Sequence, residues 1–364
     1  MGPRHEPDAR AALTLDDRGA IARVDAHGTG DVLARFPAQC REASRLGPSG
    51  GPPLVRPRAV IVAGMGGSAS SGDLLAACAG DRLDVPVIVH RGYGLPALAG
   101  DRDLVVASSY SGETAEVLSA AEAALARGAR LVAITSGGRL AALARERGAA
   151  RVAVPGGLMP RMALGYLFFP LLAVLQAADL HVAKSVEVDE ALAVLDALAD
   201  ALGPAAPTAD NEAKRLAAAI GDRLPVVYGG PTTGLVAYRW KTDLEENAKT
   251  FAAAGALPEV NHNEMEAWAG PVARGRHLVL LRDRDELPDI ARRFALLREL
   301  IGGAAGGLTE IWAHGGGLLA RLLSLVYIGQ WTSYYLAVLR GVDPWVVPTL
   351  DALKARMRAA GGPP

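Results

Sequence analysis

Two short stretches of the chain set glycines and hydroxyls at the ends of apolar runs, an arrangement suited to an anion. The first, "VIVAGMGGSAS" at residues 60–70, places Gly64, Gly66, Gly67 and Ser68 between a strand-like run and an Ala- and Ser-rich one. The second, "SSYSGET" at 108–114, brings Ser109, Ser111 and Thr114 to the start of a helical run. Amides and hydroxyls at the positive end of a helix favour negative charge, and a phosphomonoester needs many donors in a small space rather than a lysine. Gly67 and Ser68 are expected to form one wall of a phosphate cradle, and Ser109, Ser111 and Thr114 the other. Each loop alone has another explanation. Gly64-x-Gly66-x-x-Ala69 fits a variant of the dinucleotide fingerprint, and "SSYSGET" fits a helix N-cap with Glu113 in the first turn. For a dinucleotide, the end of the second strand offers "VIVHRG" in place of the acid that NAD requires; His90 and Arg91 there suit only a 2′-phosphate.

The elements that would carry these loops follow from periodicity. "RAVIVAG", "VPVIVH", "DLVVASS", "RLVAITSG" and "RVAVPG" read as strands, with "TAEVLSAAEAALARG" and "GRLAALARERG" as helices between them. Strands apolar throughout, joined by helical crossovers, predict a doubly wound parallel sheet covered on both faces. A second set, "LPVVYGG", "HLVLLRD" and "LTEIWAHG", with helices near 234–250, 288–302 and 317–339, predicts a second α/β unit. Residues 1–50 read as a helical lead-in, 51–200 as the first unit and 211–364 as the second. "LGPAAPTADNEAKRL" marks a linker near 200–210, with Asp210 or Asn211 as an N-cap beyond it.

Composition excludes several function classes. Half of the 364 residues are hydrophobic, and 38 Lys plus Arg balance 39 Asp plus Glu, so no net field attracts nucleic acid or an acidic membrane surface. Cys40 and Cys78 lack the spacing of a zinc site or a disulfide framework and suit a reducing cytoplasm. The N-terminal "MGPRHEPDARAALTLDD" has no apolar core of a secretory signal. The runs at 162–178, interrupted by Pro170, and 317–339, carrying Arg321, read as buried core helices rather than membrane spans.

At its two loops the chain resembles the SIS (sugar isomerase) family, in which turns of the G-x-G-x-S and S-x-S-G-x-T types bind a sugar phosphate. "PGGLMPRMALGYL", "RWKTDLEENAKTFA", "NHNEMEAW", "YYLAVLRGVDP" and "LDALK" follow in the order found in bifunctional phosphoglucose/phosphomannose isomerases, a similarity spanning roughly residues 58 to 358. The resemblance implies two doubly wound parallel-sheet SIS subdomains with flanking helices. It also implies an aldose–ketose isomerase of carbohydrate metabolism, without cofactor or metal, acting on a small sugar phosphate as a homodimer. Moving a proton between C1 and C2 through a cis-enediol needs a carboxylate base, a ring-opening group and a cation beside the developing oxyanion. By resemblance Glu246 of "EENAK" is the proton carrier, and His262 of "NHNE" opens the ring from the neighbouring subunit. Arg161, at the start of the helix after Pro160, stabilises the enediolate, and Lys354 assists ring opening. Asn261, Asn263 and Glu264 are expected to hold the His262 ring. An isomerase of another sugar phosphate, such as a pentose, heptose or amino sugar, is the alternative among enzymes; a sugar-phosphate sensor without turnover is the competing class, although it has no need of a base. Departures from the family pattern are Ala69-Ser70-Ser71, the Glu113 of "SGET", and apparent inserts "AAAGALPEV" and "EIWAHGGGLLARLL".

Overall fold

The Val- and Ile-rich runs form strands and the Ala- and Leu-rich runs form helices in the computed structural model of the chain, which describes residues 14–359. Residues 1–13, most of the stretch inspected for a secretory signal, lie outside the described residues. Two compact units divide the chain. One comprises Phe36–Val186 and the chain from Val347 on, the other the chain up to Arg35 and Glu187–Val346. Helices α1 (Arg18–Val24) and α2 (Thr29–Ala34) therefore belong with the second sheet.

The first-sheet unit opens with α3 (Phe36–Ala43) and continues β1 (Val60–Ala63), α4 (Gly66–Ala79), β2 (Val87–His90), β3 (Leu104–Ser108), α5 (Ala115–Ala126), β4 (Arg130–Thr135), α6 (Gly138–Glu146), β5 (Ala150–Ala153) and α7 (Leu164–Ala177). Its strands run parallel in the order β2-β1-β3-β4-β5. Every residue of β1 and β3 is buried, as strands covered on both faces require. Ile61, Val105, Leu118 and Leu140 sit in the shared core. The chain reverses its winding direction at β1 and β3, and a crevice forms beyond the strand ends at such a switch point. Both glycine loops emerge there. Close packing of α4 on the sheet depends on Gly72, where a Cβ would stand 3.0 Å from Val62 Cγ1 and 3.2 Å from Val89.

In the second-sheet unit, α8 (Ser185–Leu202, entering from the first unit) and α9 (Glu212–Ile220) precede β6 (Leu224–Gly229), α10 (Gly234–Ala248), β7 (Ala253–Ala256), β8 (Arg276–Arg282), α11 (Pro288–Ile301), β9 (Gly307–Trp312) and α12 (Leu318–Leu339). Helix α13 (Pro348–Ala359) returns to the first unit. The parallel strand order is β7-β6-β8-β9. Helix α12 is apolar and long enough to cross a membrane, yet 94% of its most apolar window is buried inside the protein. Trp240 Nε1 donates to the Leu325 carbonyl at 2.8 Å, and a Cβ on Gly329 would strike the same indole at 2.3 Å.

Three details differ from the sequence expectations. The compact units cut the chain elsewhere than at residues 50 and 200–210. Tyr327 Oη donates to Leu33 O at 2.8 Å and Tyr334 Oη to Asp25 Oδ2 at 3.0 Å, tying α1 and α2 to α12. The Gly- and Pro-rich segment near 200–210 is strapped inside the second unit: Lys214 Nζ, fully buried, donates to Pro204 O, Ala206 O and Asp16 Oδ1. Burial pulls the Lys214 ammonium below its ordinary range, against the pull of Asp16. The apparent inserts are framework, since "AAAGALPEV" contains β7 and "EIWAHGGGLLARLL" ends β9 and begins α12.

Candidate active site

The first loop is shaped by its glycines. Met65 is extended (φ −126°, ψ 152°) and Gly66 turns left-handed (φ 51°) to start α4, a conformation that costs glycine little. At Gly64 a Cβ would come within 3.0 Å of the Ala69 amide nitrogen. The first amides of α4, with those of Gly66 and Gly67 among them, have no intrahelical acceptor by position, so they suit an anion. Ser68 is buried beside them. Ser70 and Ser71, where the family pattern is apolar, turn their hydroxyls back on the helix, Ser70 Oγ to Gly66 O at 3.2 Å and Ser71 Oγ to Ser68 O at 2.6 Å. That satisfies them within the core.

The second loop is a closed hydrogen-bonded ring. Ser109 Oγ lies 2.8 Å from Thr114 Oγ1 and accepts from the Gly112 amide at 3.1 Å, while Ser111 Oγ accepts from the Glu113 amide at 3.3 Å. Gly112 (φ 72°) admits no other residue, because a Cβ would meet the Gly137 carbonyl at 1.9 Å. Glu113 does not serve its own helix; its carboxylate accepts from the Arg139 amide at 2.9 Å in the first turn of α6.

Tyr110, which the sequence reading passed over, joins this loop to the next. Its hydroxyl donates to Pro155 O at 2.8 Å and accepts from the Leu158 amide at 3.1 Å; burial pushes the phenol pKa up. The segment it anchors leads directly to Arg161. Arg161 does not begin a helix: it occupies a 3-10 turn, Pro160–Met162, packed against α4, and α7 starts at Leu164. Arg161 is buried and is not without a partner within the protein. Gly67, Ser68, Ser109, Ser111, Thr114 and Arg161 thus belong to one unit, as does Lys354, which is exposed on α13.

Glu246 and His262 both belong to the second-sheet unit. Around half-buried Glu246, the other polar residues of α10 are committed: Glu245 pairs with Lys241 at 2.7 Å, Asn247 Nδ2 donates to Ser333 Oγ at 2.9 Å, and Arg239 pairs with Asp243 at 2.8 Å. His262 ends a 3-10 turn, Glu259–His262, beyond β7, and is exposed. Its neighbours do not hold its ring. Asn261 Nδ2 contacts Met265 Sδ at 3.3 Å, Asn263 Nδ2 donates to Glu259 at 2.8 Å, and Glu264 accepts from Tyr228 Oη at 2.8 Å. Each is bound to the fold around it. Among the described residues no group of three or more His, Cys, Asp or Glu side chains could hold a metal ion.

Comparison with known proteins bears on most of the chain. Residues 54–154 match the SIS domain model, and residues 209–357 match the bacterial phospho-glucose isomerase C-terminal SIS domain model. The bifunctional phosphoglucose/phosphomannose isomerase of Caldicellulosiruptor bescii is 39% identical over 301 residues, covering 82% of this chain and 89% of that protein. The enzyme of the same name from Thermoplasma acidophilum is 34% identical, with the same coverage. D-glucosamine-6-phosphate 4-epimerase of Sulfolobus acidocaldarius is 30% identical over 57% of this chain and 62% of its own. In fold, the chain is similar to a glucose-6-phosphate isomerase like protein from Thermus thermophilus, with a TM-score of 0.61 at 24% identity, covering 95% of this chain and 99% of that one.

Proposed function

The chain belongs to the bifunctional phosphoglucose/phosphomannose isomerase family of SIS-domain proteins, and we propose that it converts glucose 6-phosphate and mannose 6-phosphate to fructose 6-phosphate through a cis-enediol. What carries this reading is its extended similarity to enzymes of that name, together with both glycine loops and the "EENAK" and "NHNE" motifs. We assign the 6-phosphate to the amides and hydroxyls of Gly67, Ser68, Ser109, Ser111 and Thr114. His262 opens the ring with help from Lys354. Glu246 takes the proton from C2 of the aldose and returns it to C1, and Arg161 stabilises the enediolate oxygen. The exposure of His262, without a bond to its neighbours in "NHNE", supports its action in the site of a second subunit of a homodimer. Cys40 and Cys78, buried and outside any disulfide, support a cytoplasmic location.

The test is isomerisation in D2O. Deuterium is expected to enter at C2 of recovered glucose 6-phosphate and mannose 6-phosphate in those turnovers where the proton on Glu246 exchanges with solvent before it is returned; retention of protium in both, together with undiminished turnover by Glu246→Gln, would overturn the enediol route. A second reading, action on an amino-sugar phosphate, is favoured by the likeness to the 4-epimerase. Faster turnover of glucosamine 6-phosphate than of either hexose phosphate would establish it.

A further inference from the structure

We propose that Lys249 is a positioning residue for Glu246, an inference that rests on the assignment of proton transfer to Glu246. Lys249 closes α10 directly beyond its last turn, in the left-handed conformation (φ 51°, ψ 40°) that helix ends ordinarily give to glycine. Among the described residues only one other non-glycine, Asp179, has a positive φ. The ammonium gains three bonds in that pose. Nζ donates to the carbonyl of Glu246 itself at 2.7 Å, to that of Asn247 at 3.2 Å and to that of Asp343 at 2.9 Å. The first two are carbonyls that a helix C-terminus leaves without an amide partner, and a cation there also opposes the negative end of the dipole.

The third bond turns a cap into a clamp. Asp343 is itself held, its Oδ2 lying 2.6 Å from His27 Nδ1 and its Oδ1 accepting from the Trp345 amide at 2.8 Å, with the His27 and Trp345 rings stacked. Asn247 fixes the same turn from another side through Ser333. Glycine at 249 would supply the backbone turn without strain; lysine supplies the carbonyl clamp at the residue whose carboxylate must meet the sugar carbons. A last turn free to fray would leave Glu246 present but poorly aimed, and small misplacements of a reacting group are costly.

Two variants separate aim from fold. Lys249→Met removes the ammonium, while Lys249→Gly removes it and relieves the left-handed backbone. Both are expected to lower kcat for glucose 6-phosphate roughly 10- to 100-fold, with KM and inorganic phosphate binding changed less than about threefold. The glycine variant should melt no lower than the methionine variant yet turn over no faster. Undiminished kcat in either variant, recovery of kcat with melting temperature in Lys249→Gly, or failure of both variants to fold would overturn the proposal. Glu246→Gln is measured alongside. Full turnover by that variant defeats the assignment of Glu246, whereas retained kcat in the Lys249 variants alone defeats only the positioning role.

Discussion

The Glu113 carboxylate, within the second glycine loop, accepts the backbone N–H of Arg139 at 2.9 Å and so caps α6, with α5 and β4 lying between them in the chain. The loop after β3 and the loop after β4 are thereby locked together, as the close approach at Gly138, where an added Cβ would stand 2.5 Å from Ser111 O, also shows. Glu113→Ala is expected to lower stability by about 1 kcal/mol, the usual cost of a lost cap, and to raise KM more than it lowers kcat. Urea unfolding and steady-state kinetics check both. A variant with wild-type stability would show that the cap is dispensable.

Glu246→Gln is expected to reduce kcat roughly 10²- to 10⁴-fold, the range of a general acid–base group, while leaving affinity for inorganic phosphate unchanged. An amide cannot accept the carbon-bound proton. Deuterium incorporation from D2O should fall in parallel with turnover. Loss of phosphate affinity instead would mean that the substitution disturbs the fold.

The sheets were legible because Val and Ile runs alternate with Ala and Leu runs, and the loops because glycines and hydroxyls mark strand ends. What escaped was set by partners distant in sequence. Strand β7 reads "AAGA", without a β-branched residue; it is a strand because it pairs with β6, and Gly255 is required where a Cβ would stand 2.6 Å from Val260 Cγ2. Asp16 and Lys214 are 198 residues apart, so nothing local announces that the Gly- and Pro-rich segment is clamped rather than a hinge. The neighbours of His262 were misjudged for the same reason. Adjacency suggested that they hold its ring, whereas Glu264 reaches Tyr228, 36 residues away. Tyr110 left a faint signal, an aromatic side chain among loop hydroxyls, which invites the question of where its own hydroxyl goes.

The acid stability of the first-sheet unit should depend on Asp103. Burial pushes this carboxyl up, but hydrogen bonds from Arg58 and from the Gly100 and Ala59 amides, with the Arg58 charge, outweigh it and hold the pKa below the usual range. A carboxyl lowered on folding contributes stability above its unfolded value of about 3.9. That contribution disappears as pH falls through the lower, folded value. Asp103→Asn is therefore expected to reduce the melting temperature at pH 7 and to flatten its decline between about pH 5 and pH 2. An equal decline in both proteins would place the acid-sensitive groups elsewhere.

Complementation tests whether His262 acts across a dimer. Glu246→Gln and His262→Ala are each expected to be nearly inactive as homodimers. If each site draws Glu246 from one subunit and His262 from its partner, a mixed dimer contains one site with both defects and one with neither. Dissociating and reassociating an equal mixture should then restore turnover well above either parent. If both residues serve the site of their own chain, each site in the mixed dimer keeps one defect and mixing restores nothing. Exposure of His262, with Asn261, Asn263 and Glu264 bound elsewhere, favours the first outcome. A mixed dimer as inactive as its parents would return His262 to its own subunit.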